Sequence, residues 1–359
     1  MSEPPLSQPD FWRSYGYREI NFSQLKHVII YQGKNLGDVL LSTPVIESIR
    51  KVSECKITVV TSAEARPFVS ETSRQIFWHE RKRGLLAACK NAFGFKRQNV
   101  DLFIDLHGSS DSSVFNAILN PRISIKMAGP RKRITDSYSI TMPSTAIPRR
   151  HRVEQHLDVL RRLGFDNQKL EKNLSTRTLD STLGEADRRN LDQMIPDSPF
   201  ILVHPCSRWL FKTTYPDFWV EVIEEFTKTG SQVVLTGVSS DLEGQYLDYI
   251  IRKVRVISLV GKLTLAELSY VISRSAGYLG VDTVASHLAA AHDKDGVVLF
   301  GPSDEYSWGP LSNNLSPVSS TQFSCRPCNL DGCGGGKRSD CLNVLDPQLI
   351  ATRVLQKLA

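Results

Sequence analysis

The densest chemistry lies in Gly280-Val-Asp-Thr-Val-Ala-Ser-His-Leu-Ala-Ala-Ala-His292. A short strand should end at Asp282, with a helix rich in small residues directly after it. A helix N-terminus presents free N–H groups and partial positive charge, which suits a phosphate. Thr283 and Ser286 add hydroxyls, and His287 follows Asp282 by five positions, so it can face the same ligand. The same pattern also describes an ordinary capped helix, with Asp282 as cap and His287 packed inside. A second stretch, His204-Pro-Cys-Ser-Arg-Trp-Leu-Phe-Lys212, leaves another strand. The guanidinium of Arg208 and the ammonium of Lys212 can neutralise a diphosphate leaving group; the bland reading is an exposed loop. A third, Gly33-Lys-Asn-Leu-Gly37-Asp38, follows the first strand. Asp38 stands at a helix start, where it can deprotonate an acceptor hydroxyl or simply cap the helix. Neither a G-x-x-x-x-G-K-[ST] loop nor G-x-G-x-x-G occurs, which removes support from P-loop and dinucleotide readings.

These stretches need strands to present them. Short runs rich in β-branched residues predict strands at 26–32, 56–62, 75–80, 100–108 and, more weakly, 122–129. Helical stretches lie between them and end with 152–165. Residues 166–198 are polar and strand-poor, with a helix within 180–192. A second alternating set follows, with strands at 200–205, 231–237, 254–261, 277–282 and 296–304. Helices are predicted at 216–230, 242–254, 264–276, 283–292 and 346–359. Gly230 is placed to stop one helix, and Thr264 with Glu267 has capping-box spacing. Alternation of this kind implies parallel sheets covered by helices. The fold class is therefore α/β, with two doubly wound Rossmann-like domains facing a cleft. The junction falls near residue 175, giving domains 1–175 and 176–359.

The chain has 359 residues, 41% of them hydrophobic and 23% charged, enough for two packed cores and against long disorder. No apolar run reaches the ~18 residues of a spanning helix, and residues 1–10 lack the pattern of a signal peptide. A cytoplasmic protein is the expectation. The net charge of +6 is uneven: residues 1–175 hold 27 Lys/Arg against 17 Asp/Glu, and the remainder 17 against 21. A basic first half suggests an anionic partner, unless it is only a solvated surface. Its clusters are Arg81-Lys82-Arg83, Arg131-Lys132-Arg133 and Arg149-Arg150-His151-Arg152. Phe11, Trp12, Tyr15, Tyr17 and Phe22 either rest on a membrane surface or pack on the domain, and packing is favoured. Cys325, Cys328, Cys333 and Cys341 form a close group whose thiolates suit a structural zinc or iron ion, against reduced thiols or a local disulfide. No aromatic–basic stripe of a nucleic-acid groove is present, and no nucleic-acid partner is expected.

The run Asp282-Thr-x-x-Ser-His-Leu-Ala-Ala-Ala, followed by Leu299-Phe-Gly-Pro-Ser and Trp308-Gly-Pro, resembles glycosyltransferase family 9, the ADP-heptose:lipopolysaccharide heptosyltransferases. GDVLLSTPVIESIRK from Gly37 is similar to that family's first signature, and His204-Pro-x-Ser-Arg-Trp-x-x-Lys212 with Trp219 to its central one. Within the family the chain looks most like heptosyltransferase III-type members. The resemblance implies a GT-B fold and an inverting, metal-independent transfer with Asp38 as general base. It places donor contacts on Ser207, Arg208, Lys212, Asp282, Thr283 and His287, and Glu243 is a further candidate, for the ribose, on spacing. The implied donor is an ADP-sugar. The implied acceptor is a phosphorylated, lipid-linked core oligosaccharide, met by Gly37, Arg81, Lys82, Arg83, Arg131, Lys132 and Arg133. The enzyme would then work in the cytoplasm, with peripheral contact at the inner membrane. Cys206 and Val284 depart from the family's usual glycines. Two alternatives are a GT-B-like nucleotide-sugar epimerase and a non-catalytic protein that binds anionic glycolipid.

Overall fold

The computed structural model describes residues 18–33, 35–69, 75–82, 84–127, 137–142 and 150–359. The chain forms two compact units, residues 1–178 and 179–359.

In the first unit the order is β1 (His27–Tyr31), α1 (Leu36–Leu40), α2 (Thr43–Val52), β2 (Lys56–Thr61), β3 (Ile76–Glu80) and α3 (Leu85–Phe95). It continues with β4 (Leu102–Asp105), α4 (Ser110–Leu119), β5 (Ile123–Lys126), β6 (Ile140–Thr141) and α5 (Arg152–Arg162). All strand pairs are parallel, in the order β3-β2-β1-β4-β5-β6. Every residue of β1 is buried, as a central parallel strand covered on both faces requires. Ile29, Tyr31, Phe103 and Phe115 pack with Ala92 and Phe95 of α3 to form one core.

Helix α6 (Arg177–Thr182) crosses the boundary between units and leads into α7 (Glu185–Met194). The second unit then runs β7 (Phe200–His204), α8 (Pro216–Lys228), β8 (Gln232–Leu235), α9 (Asp241–Lys253), β9 (Ile257–Ser258), α10 (Leu265–Arg274) and β10 (Gly277–Val281). It ends with α11 (Val284–Ala291), β11 (Asp295–Phe300), α12 (Glu305–Trp308), β12 (Leu315–Ser319), α13 (Asp340–Asn343) and α14 (Pro347–Leu358). Its parallel sheet has the order β12-β11-β10-β7-β8-β9. Pro216 opens α8 at a position where its missing N–H costs nothing, and Gly230, at φ +80, follows its end in a backbone conformation that suits glycine. Thr264 and Glu267 form the capping box of α10.

Two strands lie outside the sequence expectation. The edge strand β12, Leu-Ser-Pro-Val-Ser, lacks an apolar run and contains Pro317, which only an edge tolerates. The other, β6, is two residues long. The predicted strand at 254–261 contracts to Ile257–Ser258.

Both sheets reverse direction at one place. In the first, chain progress runs from β1 outward to β3, then returns to the other side of β1 with β4. In the second, the same reversal separates β7 from β10. Connections leave such a pair of strands in opposite directions, so a crevice opens at their carboxyl ends.

Candidate functional site

The crevice of the second unit gathers two of the three sequence stretches. Beyond β7, Ser207 is buried and its Oγ accepts the Trp209 N–H at 3.2 Å, which turns the chain back. A single helical turn, Leu210–Lys212, then delivers Lys212. Its ammonium donates to Asp282 Oδ2 at 2.5 Å, just beyond β10. Asp282 is buried, while the Lys212 side chain keeps 23% exposure and so can still reach a ligand. Arg208 is exposed and lies over the Trp209 ring, 5.5 Å from its centroid.

Thr283, not Asp282, caps α11. Its Oγ1 accepts the Ala285 N–H at 3.2 Å, and Ser286 Oγ donates to the Thr283 carbonyl at 2.7 Å. Asp282 is thereby released from the capping role and faces Lys212. His287, one turn into α11, is buried. Small residues allow this helix to sit tightly: Ala285 and Ala289 are fully buried. Val284, where the family usually has glycine, is half-buried at the helix start. Cys206, the other departure, belongs to the hydrophobic core beside Trp219, and burial pushes its thiol pKa up, with Glu243 adding to the effect. Glu243 lies in the first turn of α9, its own pKa raised by burial.

Two polar groups here escape sequence reasoning. His204 is buried at the end of β7, its Nδ1 2.9 Å from Thr236 Oγ1, and burial lowers its pKa to about 4. Tyr278 is fully buried two residues before Gly280, and a Cβ at Gly280 would collide with its hydroxyl and approach the His204 carbonyl to 2.8 Å. Strand alternation puts Tyr278 and Gly280 on one face, a signal that could have exposed the pairing. Ser339 is a third missed contributor: its hydroxyl donates to the Phe211 carbonyl at 2.6 Å, immediately before Lys212.

Ser339 belongs to the segment that carries the clustered cysteines. Arg326 ties that segment down, donating to the Gly301 carbonyl at 2.6 Å, the Ser320 carbonyl at 3.2 Å and Glu305 Oε2 at 2.9 Å. Cys341 is buried, which raises its thiol pKa; Arg326 opposes the shift and Cys333, Cys328 and Cys325 reinforce it. Among the described residues, however, no three His, Cys, Asp or Glu side chains converge as a metal-binding group.

In the first unit, Asp38 follows β1 in the first turn of α1 and is buried. Asn35 occupies the cap position without capping through its side chain. Burial lowers the Arg152 guanidinium pKa, and attraction to Asp38 pushes it back up. Arg81, at the exit of β3, donates to the Gly33 carbonyl at 3.0 Å, Tyr31 Oη at 3.1 Å and Asp111 Oδ2 at 2.8 Å. It therefore clamps the glycine loop before Asp38, and a Cβ at Gly33 would collide with it. Gly37 is half-buried and Lys82 exposed. Arg150 is engaged in a network on α5, with Asp158 at 2.8 Å and Glu154 at 2.7 Å, both of which also hold Arg161. Arg83, Arg131, Lys132, Arg133 and Arg149 lie outside the described residues, as do Phe11, Trp12, Tyr15 and Tyr17; Phe22 is buried. Asp105, at the end of β4, is fully buried; it accepts the Tyr138 hydroxyl at 2.7 Å and the His107 and Gly108 N–H groups at 2.9 and 2.8 Å.

Residues 92–337 match glycosyltransferase family 9 (heptosyltransferase). The chain belongs to this family. It is similar to lipopolysaccharide heptosyltransferase 3 of Escherichia coli, 27% identical over 293 residues that cover 78% of this chain and 84% of the relative. Its fold is similar to that of a family 9 glycosyltransferase from Veillonella parvula DSM 2008, with TM-score 0.76, 18% identity and coverage of 95% and 99% of the two chains. It is also similar to E. coli ADP-heptose lps heptosyltransferase II, with TM-score 0.74, 17% identity and coverage of 93% and 98%. The protein is a glycosyltransferase with the two-sheet GT-B architecture, and family membership favours transfer over the epimerase and binding-protein alternatives. Among the described residues, no helix is long and apolar enough to cross a membrane.

Proposed function

We propose that the protein transfers heptose from ADP-heptose to the lipopolysaccharide core oligosaccharide, with inversion at the anomeric carbon. The observation that carries this reading is the Lys212–Asp282 pair beside the N-terminus of α11, at the crevice of the second sheet. The names of the similar heptosyltransferases supply the sugar and the acceptor class.

In this mechanism an acceptor hydroxyl attacks the anomeric carbon while the Asp38 carboxylate accepts its proton. The bond between that carbon and the diphosphate oxygen breaks, and ADP leaves with the electron pair. Lys212, Arg208 and the first N–H groups of α11 stabilise the growing negative charge. Asp282 holds the ammonium in the free enzyme and hands it to the diphosphate when the donor binds. Three fixed cationic or dipolar groups do the electrostatic work, so no step draws on a metal. The acceptor is phosphorylated and lipid-linked, and the enzyme acts from the cytoplasm at the membrane face; the basic first half supports this part of the reading.

Calorimetry with ADP, UDP and GDP, followed by transfer assays with ADP-heptose, tests the proposal. ADP should bind and ADP-heptose should support transfer with release of ADP, in the presence of EDTA as in its absence. Binding of UDP or GDP without ADP would overturn the donor assignment.

A further inference from the structure

The stretch from Arg81 to Gln98 contains six Lys/Arg and no acidic residue. Helix α3 occupies most of it and has two unlike faces. Ala88, Ala92 and Phe95 are buried against the first core. On the opposite side Leu86 is 83% and Phe93 59% exposed, while Leu85, in line with the buried residues, is 55% exposed because it starts the helix. Leu86, Lys90 and Phe93 follow one another at spacings of four and three, which lines them up on one helix face, and Arg97 follows just past the helix end. Lys82, Lys90, Lys96 and Arg97 are all exposed, and the Lys96 ammonium lies 5.6 Å from the Phe93 ring centroid. Single exposed leucines are ordinary on protein surfaces. Two large apolar side chains side by side on one short helix, with exposed cations along the same stretch, mark an interaction surface.

We propose that α3 is a docking helix, and that its outer face rests in the interface of an anionic lipid bilayer. Leu86 and Phe93 enter the headgroup–acyl boundary, and Lys82, Lys90, Lys96 and Arg97 meet lipid phosphates. Charge selects the occupant: a stretch with six Lys/Arg and no acidic residue between positions 81 and 98 suits a polyanionic surface. Location supports it. β3 and β1 run parallel through β2, so α3 begins at the same sheet edge from which Asp38 projects. A lipid-linked acceptor would then be met at the level of its membrane. The proposal rests on the acceptor class given above and deepens it by naming the surface.

The test pairs vesicle co-sedimentation with two transfer assays on the full chain. Wild-type protein should sediment with phosphatidylglycerol–phosphatidylethanolamine vesicles, less so at high salt, and not with phosphatidylcholine. L86S/F93S should lose about tenfold or more in vesicle affinity, and K90E/K96E/R97E should remove the salt-sensitive share. L86S/F93S should transfer about tenfold more slowly to acceptor embedded in vesicles, yet as fast as wild type to water-soluble core oligosaccharide released from its lipid. Unchanged sedimentation of L86S/F93S overturns the proposal. So does a change of that variant to a smaller oligomer with vesicle binding intact, which would assign the face to a second copy. Wild-type protein that sediments as described but transfers to neither acceptor would sink the acceptor reading and leave the docking surface supported.

Discussion

In the proposed mechanism, Asp38 and Lys212 divide the chemistry between proton removal and leaving-group stabilisation. Asp38→Asn should therefore reduce transfer by about a hundredfold or more, the usual weight of a positioned general base, while ADP binding stays unchanged by calorimetry. A loss of ADP binding in that variant would mean that Asp38 serves the donor instead. Arg152 offers a finer probe, because its charge and that of Asp38 attract one another. Removing the guanidinium withdraws support from the ionised carboxylate. Arg152→Gln should thus move the acidic limb of the kcat/KM profile to higher pH, and an unmoved limb would refute the coupling. Residue types in the sequence already mark Asp38, Lys212 and Asp282 as candidates. They do not distinguish capping from chemistry at Asp282. The fold makes that distinction: Thr283 takes the cap and leaves the carboxylate to Lys212.

Among the elements, the short turn that carries Lys212 has little hold of its own. It is anchored from far along the chain by the Ser339 hydroxyl, and Ser339 sits in a segment pinned by Arg326. One such hydrogen bond is worth about 0.5–1.5 kcal/mol. Ser339→Ala should accordingly raise the KM for ADP-heptose by about two- to tenfold, with a smaller change in kcat; a wild-type KM would remove this link from the donor site. Strands with continuous apolar runs, such as β1 and β7, can be read from the sequence because burial on both faces demands that composition. The edge strand β12 cannot, because a strand paired on one side tolerates serine and proline. The link from Ser339 to Phe211 spans 128 positions and has no local pattern at all.

For the whole molecule, acid should be destabilising in a definable window. His204 has a folded pKa of about 4, below its ordinary value of 6.5, because burial disfavours the cation. An unfolded chain binds that proton near pH 6.5 and the folded one does not until about 4, so folding stability falls as pH drops between these values. The shift corresponds to a loss on the order of 3 kcal/mol. His27, His79 and His292 are shifted in the same direction by burial, while buried Asp105 and Asp158, whose pKa values are raised, work against it. Urea midpoints measured between pH 7 and pH 4 should decline, and His204→Gln should show a shallower decline than wild type; parallel slopes would contradict this. The sequence shows two alternating β/α sets, and hence two doubly wound sheets. Strand order within each sheet depends on long-range pairing and becomes visible only in three dimensions. Ile350, Ala351 and Val354 of α14 are part of the core shared by β7, β8, β10 and β11, and Leu358 fills the space beside Gly277. A ribosome makes α14 after all the strands it covers. The first sheet can close while translation continues, but the second must wait for α14, so a stalled or truncated nascent chain presents a finished first sheet beside an unfinished second one.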